Sequence, residues 1–353
     1  MLEQSPLLGN QKPTAVLRIL DANLDRAREG LRIIEEWCRF GLNNQTLAAE
    51  CKNLRQELAS WHKSAIRQAR DTLNDPGTEL THPQEEKRAD IDSLLQANLC
   101  RVEEALRVVE EYGKLYQTQM GGAFKQMRYR VYTLESKLLT RHRQKRLAQS
   151  LLYLVTSPTE NLFEIVESSL KGGLSLVQYR HKGDNDQEKL AIAQKLKKIC
   201  HKYHALFIIN DRVDLAVAVD ADGVHLGQQD LPVTLARQLL GSQKIIGLST
   251  TNPEEMQRAI QAKVDYIGVG PVYETPTKPG KAAAGFDYVR YAAQNSPIPW
   301  FAIGGIDAGN LSQVMEAGAS RVAVVRAIME AEKPAAMTNY LLNQLQKPIK
   351  STF

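Results

Sequence analysis

Apolar residues change their spacing near residue 147. Before that point they recur at helical intervals with long gaps between glycines, whereas after it short Val/Ile/Leu/Phe runs alternate with stretches of helical length. The later runs fall at 151–157, 174–180, 205–210, 223–228, 244–249, 266–272, 300–306 and 321–328, with helix-length segments such as 185–203, 252–262 and 307–317 between them. Eight strands alternating with helices over about 200 residues predict a (β/α)8 TIM barrel spanning 147–353. The chain is thus read as α/β: the barrel, preceded by an all-α domain over 1–146, with the boundary in a basic linker.

The helical part carries an internal repeat. Ala22–Glu36 reads against Ala97–Glu111 at a spacing of about 75 residues. At about 100° per residue, Leu24, Ala27, Leu31 and Ile34 form one stripe, matched by Leu99, Val102, Leu106 and Val109. A second helical stretch follows each copy, with Lys52–Arg55 echoed by Lys125–Arg128. Two helical hairpins related by a pseudo-twofold axis and packed as a four-helix bundle are the simplest solution. The repeat also keeps polar positions: Asn23/Asn98, Arg26/Arg101, Glu29/Glu104, Arg32/Arg107 and Glu36/Glu111. These read either as a salt-bridged bundle surface or dimer face, or as a polar site. The stretch 71–78 between the halves has turn chemistry that could also present carboxylates.

Composition narrows the class without naming a function. Hydrophobic residues at 43% and charged residues at 24% describe a globular chain with a sizeable core. Net charge is only +5, and the run Arg141, Arg143, Lys145 and Arg146 lacks the interleaved aromatics of a nucleic-acid surface, so no nucleic-acid partner is expected. No stretch approaches the ~20 apolar residues of a membrane span and the N-terminus has no signal pattern; the expected location is the cytoplasm, with no membrane partner. Cys38, Cys51, Cys100 and Cys200 form no C-x-x-C pair and are expected to be buried free thiols. The absence of a G-x-x-x-x-G-K-[S/T] run excludes a P-loop kinase.

In such a barrel the C-terminal strand ends carry the chemistry. The second strand ends Gln178-Tyr179-Arg180-His181-Lys182, and alternation sends Gln178, Arg180 and Lys182 to one side, an amide and two cations suited to an anion. The third ends Asn210-Asp211 and the fourth runs to Asp230. Either aspartate alone could cap a helix; together they suit one hard cation such as Mg²⁺ beside clustered phosphates. The fifth ends at Ser249-Thr250. The sixth enters a long loop containing Thr275, Pro276, Thr277 and Lys278, of the kind that covers a substrate. Gly304-Gly305 after strand seven, with amides after strand eight, can hold a phosphate on bare backbone. A metal diphosphate on one rim and a monophosphate on the other describe a two-substrate condensation.

On Q-x-R-x-K at 178–182, Asn-Asp at 210–211, G-Q-x-D ending at 230, Ser249, T-x-T-K at 275–278 and Gly-Gly-Ile at 304–306, the C-terminal unit resembles the thiamine-phosphate synthase family. The resemblance implies that 4-amino-2-methyl-5-(diphosphooxymethyl)pyrimidine joins a thiazole phosphate, or its carboxylated precursor, to give thiamine phosphate and diphosphate. It implies Gln178, Arg180, Lys182, Asn210, Ser249 and Lys278 around the pyrimidine diphosphate; Tyr179 and His181, within the same motif, are counted with the substrate-binding residues, and His181, out of phase with the basic pair, reads as a loop residue and not a catalyst. Asp211 and Asp230 would hold Mg²⁺. Thr275, Pro276, Thr277, Gly305 and the amides near Val325 and Arg326 would meet the thiazole phosphate. Arg180, Lys182 and Lys278 would stabilise charge on the departing diphosphate in a dissociative substitution. Arg326 stands where the family often has a small residue, and adds a phosphate contact or points outward. The rival readings are a thiazole tautomerase-like barrel, which needs no paired metal carboxylates, and a non-catalytic ligand-binding barrel. The helical part resembles extensions fused to some members of the family, and reads as a dimerisation module or a pyrimidine-phosphate kinase-like unit; homo-oligomerisation stays open.

Overall fold

The computed structural model describes residues 11–76, 88, 91–274 and 283–347. Two compact units divide the chain, Met1–Arg141 and His142–Phe353.

The first unit is built from α1 (Gln11–Glu36), one π turn (Trp37–Gly41), α2 (Gln45–Trp61), the short α3 (Ser64–Gln68), α4 (Ile91–Tyr116) and α5 (Thr118–Gln149), which runs on into the second unit. Asn44 starts α2 by accepting the Leu47 N–H on its side chain. Both apolar stripes of the repeat are buried, Leu24, Ala27, Leu31 and Ile34 on α1 and Leu99, Val102, Leu106 and Val109 on α4. The retained polar residues form matching bonds in the two halves. Asn23 and Asn98 each donate 2.8 Å back to the carbonyl four residues earlier. Arg32–Glu36 at 2.6 Å is repeated by Arg107–Glu111 at 3.0 Å. A pair outside the polar positions singled out above is more deeply placed: Glu35 and Glu110 are buried and are reached by Arg55 at 2.6 Å and Arg128 at 2.9 Å. A carboxylate leaves water at acceptable cost only when a cation follows it, and this explains why Glu and Arg were duplicated together. In the turn after α3, Asp71 accepts the Asn74 N–H and faces Arg18, so its carboxylate is engaged within the unit; residues 77 and 78 lie outside the described residues.

The division between the two units falls inside the basic run, between Arg141 and His142, and the run is helical. Arg141, Arg143, Lys145 and Arg146 lie within α5, whose last turns belong to the barrel unit. Arg143 reaches Asp222 at 3.5 Å, Arg146 donates 2.7 Å to the His204 carbonyl, and Leu147 is buried with the side chains inside the barrel. These contacts keep the segment helical where charge alone suggested a solvated connection. Cys100 departs from expectation too. It is exposed on α4, one residue beyond the buried Leu99, whereas Cys38, Cys51 and Cys200 are buried.

The barrel strands are β1 (Leu152–Val155), β2 (Leu176–Tyr179), β3 (Leu206–Asn210), β4 (Gly223–Leu226), β5 (Ile245–Thr250), β6 (Tyr266–Val269), β7 (Trp300–Ile303) and β8 (Val322–Val324). They close in sequential parallel order, β8 pairing with β1. Alternation divides each strand between two cores. Outward residues such as Val177, Tyr179, Phe207 and Ile209 pack among the helices, while Tyr153, Leu176, Leu206, Ile208, Ile245, Tyr266 and Phe301 fill the interior. Strand β2 therefore points Leu176 and Gln178 inward, with Val177 and Tyr179 outward.

Candidate active site

A cavity of about 300 Å³ opens at the C-terminal ends of the strands. Gln178, Arg180, Asn210 and Ser249 line it from β2, β3 and β5, and Gly304, Gly305, Val325 and Arg326 line it from the ends of β7 and β8. Its floor is Tyr153, His225, Tyr266 and Phe301. The barrel register thus brings together an amide, a guanidinium and two short polar side chains on one rim and glycine backbone on the other.

Arg180 continues the inward phase of β2, and the Thr156 hydroxyl accepts its backbone N–H at 3.0 Å. Burial pulls its guanidinium below the usual value and the charge of Asp211 acts in the opposite direction. A half-desolvated arginine beside a cavity is a strong partner for an anion. Gly304 and Gly305 have φ of +111° and +68°, left-handed values that side chains rarely adopt. A Cβ on Gly304 would lie 2.6 Å from the Pro271 Cα, so only glycine lets this backbone run along the rim.

Other expected residues are placed differently. Lys182 is exposed and is not among the cavity-lining residues, because β2 ends at Tyr179 and the pleat that would have aimed Lys182 inward stops there. His181 lies in the same loop, its Nδ1 accepting the Gly183 N–H at 3.0 Å, and it too is absent from the lining. Tyr179 faces the helical layer; its hydroxyl has no hydrogen-bond partner among the described residues, and burial pushes the phenol up to about 12. Tyr179→Phe is accordingly expected to leave turnover within about twofold of wild type, with the melting temperature equal or slightly higher, because it removes an unsatisfied buried hydroxyl. A larger loss of turnover would return Tyr179 to the site. Arg326 lines the cavity. Thr275, Pro276, Thr277 and Lys278 lie outside the described residues.

Asp211 and Asp230 sit just past the ends of the adjacent strands β3 and β4, which pair through Asn210 and His225. Asp211 takes φ of +60°, tolerated better by aspartate than by most residues, and its N–H donates 2.8 Å to the His225 carbonyl. One oxygen of Asp230 accepts the Gly227 N–H at 2.6 Å, closing the turn after β4. Neither carboxylate lines the cavity, and no cluster of three or more His, Cys, Asp or Glu that could hold a metal occurs among the described residues.

Sequence reasoning passed over Tyr153, His225 and Tyr266. The signal was present, since each is a polar residue in the same inward phase as Gln178 and Ser249, but it becomes visible only when strands are compared across the barrel.

The profile of the family described as thiamine monophosphate synthase matches residues 152–328. A protein of Nostoc punctiforme named thiamine-phosphate synthase is 69% identical over 337 residues, covering 96% of both chains. The chain belongs to the thiamine-phosphate synthase family. A Synechocystis relative of the same name is 65% identical over 335 residues, 95% of this chain and 98% of its own. Among solved structures, the thiamine phosphate pyrophosphorylase of Pyrococcus furiosus has 34% identity and a TM-score of 0.52, covering 57% of this chain and 97% of its own. A second profile, the ThiD2 family, matches residues 18–137 in the helical unit. Membership of the thiamine-phosphate synthase family makes the chain a transferase that forms thiamine phosphate. No described helix is long and apolar enough to cross a membrane.

Proposed function

We propose that this cavity joins 4-amino-2-methyl-5-(diphosphooxymethyl)pyrimidine to a thiazole phosphate or its carboxylated form, the latter also losing carbon dioxide. The bond from the pyrimidine methylene carbon to diphosphate oxygen breaks, its electron pair leaving with diphosphate. The thiazole nitrogen then supplies the pair that forms the new carbon–nitrogen bond. The observation that carries this reading is the pairing of half-buried Arg180 on one rim with the bare Gly304-Gly305 backbone on the other.

Arg180 takes the diphosphate and opposes the charge that grows on it as the bond lengthens. Asn210, Ser249 and Gln178 orient the pyrimidine, while Gly305 and the backbone near Val325 hold the thiazole phosphate, with Arg326 as a further cation beside it. On this reading the two reacting atoms face one another across one small chamber, and proximity supplies much of the rate. The donor chemistry of Asp211 and the second oxygen of Asp230, two hard carboxylates at neighbouring strand ends, fits Mg²⁺. When bound there, the ion would neutralise charge on the leaving diphosphate.

Purified full-length protein with both substrates and Mg²⁺ is expected to yield thiamine phosphate. Excess EDTA should abolish the product and added Mg²⁺ restore it. Undiminished product under EDTA would remove the metal assignment; absence of product with Mg²⁺ would remove the condensation.

A further inference from the structure

Below the cavity, five side chains from five strands form one continuous hydrogen-bonded chain. The Gln178 Nε2 donates 2.7 Å to the Tyr153 hydroxyl, which lies 2.7 Å from the Tyr266 hydroxyl. Tyr266 meets His225 Nδ1 at 2.9 Å, and His225 Nε2 meets the Ser249 hydroxyl at 2.9 Å. Gln178, Tyr153, His225 and Tyr266 are all buried, and apolar Leu206, Ile208 and Ile245 fill the interior alongside the tyrosines. The rings are packed as tightly as the polar atoms are bonded, with Tyr266 edge-on to Phe301 at 5.7 Å and tilted on His225 at 5.4 Å. At Gly247 a Cβ would lie 2.1 Å from the Tyr266 ring, so glycine there is what admits the phenol.

A polar chain in an apolar interior is costly unless every member is satisfied. Counting protons leaves two self-consistent arrangements, in which all the bonds run one way or all run the other. With the Gln178 amide nitrogen on Tyr153, the direction is fixed. Tyr153 must donate to Tyr266, Tyr266 to His225 Nδ1, and His225 Nε2–H to Ser249. In the reverse sense the Tyr153 proton would have no acceptor, because its oxygen would already receive from both Gln178 and Tyr266. The consequence appears at the two ends. Ser249, already accepting from His225, turns its own O–H toward the cavity, and Gln178 presents its carbonyl oxygen and remaining N–H.

We propose that His225, Tyr266 and Tyr153 are positioning residues, whose chain couples the two ends, so that with the Gln178 amide nitrogen on Tyr153 the Ser249 hydroxyl is held as a hydrogen-bond donor and both side chains are held in place. They thereby set the pose in which the pyrimidine methylene carbon faces the thiazole nitrogen. The proposal rests on the reading above that Ser249 and Gln178 meet the pyrimidine. None of the three needs to transfer a proton to substrate. An all-apolar floor would fill the same volume without specifying which way either end points, so the chain contributes orientation and not packing.

A double-mutant cycle on the full-length enzyme with Mg²⁺ tests this. Ser249→Ala is expected to lower kcat/KM for the pyrimidine diphosphate by about tenfold or more, the scale of one lost hydrogen bond at a site. Tyr266→Phe keeps the ring and should lower the same constant about tenfold while leaving KM for the thiazole phosphate unchanged. The double variant should lose clearly less than the product of the two single losses, because Tyr266 acts in part through Ser249 and in part through Gln178. Multiplying losses, or an unchanged constant in Tyr266→Phe, would overturn the proposal while leaving Ser249 in the site. An unchanged constant in Ser249→Ala would instead overturn the site reading, and the proposal with it. Should Tyr266→Phe fail to fold, His225→Gln against His225→Leu makes the same comparison. Glutamine can still donate to Ser249 and should retain several-fold more activity than leucine, and equal losses would refute the role.

Discussion

Replacing Asp211 by asparagine is expected to lower turnover by about 10²-fold or more and to raise the Mg²⁺ concentration needed for half-maximal rate, with the melting temperature unchanged. Asparagine is the informative substitution because residue 211 holds φ of +60°, a conformation that Asn adopts as readily as Asp and alanine does not. The backbone N–H would still donate to the His225 carbonyl, so the turn survives while one unit of negative charge disappears. The charge matters twice. It faces Arg180 electrostatically, and it is half of the carboxylate pair assigned to the metal. Measuring thiamine phosphate formation across a Mg²⁺ titration separates these roles. A unit-charge loss that only released Arg180 would leave the Mg²⁺ curve in place. Wild-type turnover with an unmoved curve would remove Asp211 from the site altogether.

The second large effect lies at the opposite end of the barrel and concerns stability. Asp222, immediately before β4, is buried; it accepts the Phe207 N–H at 2.9 Å, meets His201 Nε2 at 3.0 Å and lies 3.5 Å from Arg143. Burial by itself would raise its carboxyl. The hydrogen bond and charge of His201, with the Phe207 N–H and the Arg143 guanidinium, outweigh it and hold the group well below the ordinary carboxylate range. Asp222→Ala would strand the Phe207 N–H inside the protein and leave two basic groups without their partner. We expect a loss of about 3 kcal/mol in the unfolding of the barrel unit at pH 7, at the lower end of what breaking a buried pair costs because His201 is partly exposed. The sign with pH follows from linkage. A depressed folded pKa contributes stability that is fully present above the unfolded value of about 3.9 and is lost as pH falls from there through the folded value. Denaturant unfolding of wild type and variant at pH 7 and at pH 3 should therefore show the gap narrowing at the lower pH. A constant gap would mean that packing, not the ionised carboxylate, is what the substitution removes.

The strands and the repeat were legible because burial imposes a period. Leu24, Ala27, Leu31 and Ile34 recur on one helical face and are all fully buried, and the eight runs of the second unit are the eight strands of the closed barrel. Strand ends were less legible. The sixth apolar run extends to Val272 but the ladder stops at Val269, before Gly270-Pro271, and the eighth extends to Ile328 although a short helix, Arg326–Met329, begins within it. An apolar run does not mark where its hydrogen-bonding partner ends. For the same reason the alternation of β2 does not carry past Tyr179 to bring exposed Lys182 into the cavity lining, and the Tyr179 side chain, out of phase with Gln178, packs in the outer layer.

Local order along the chain therefore fixed which segments are helix or strand, how many there are, and which residue types reach the barrel mouth, since these depend on spacing within a few residues. Only the closed barrel decided which of those residues share a cavity. Its register links Tyr153, Tyr266 and His225, more than a hundred positions apart in the chain at the extremes, into one hydrogen-bonded series, and contacts with Asp222 and His204 hold the basic run as the end of a helix. Distances across a closed sheet are a property of register between strands, and register is written in no single stretch of sequence.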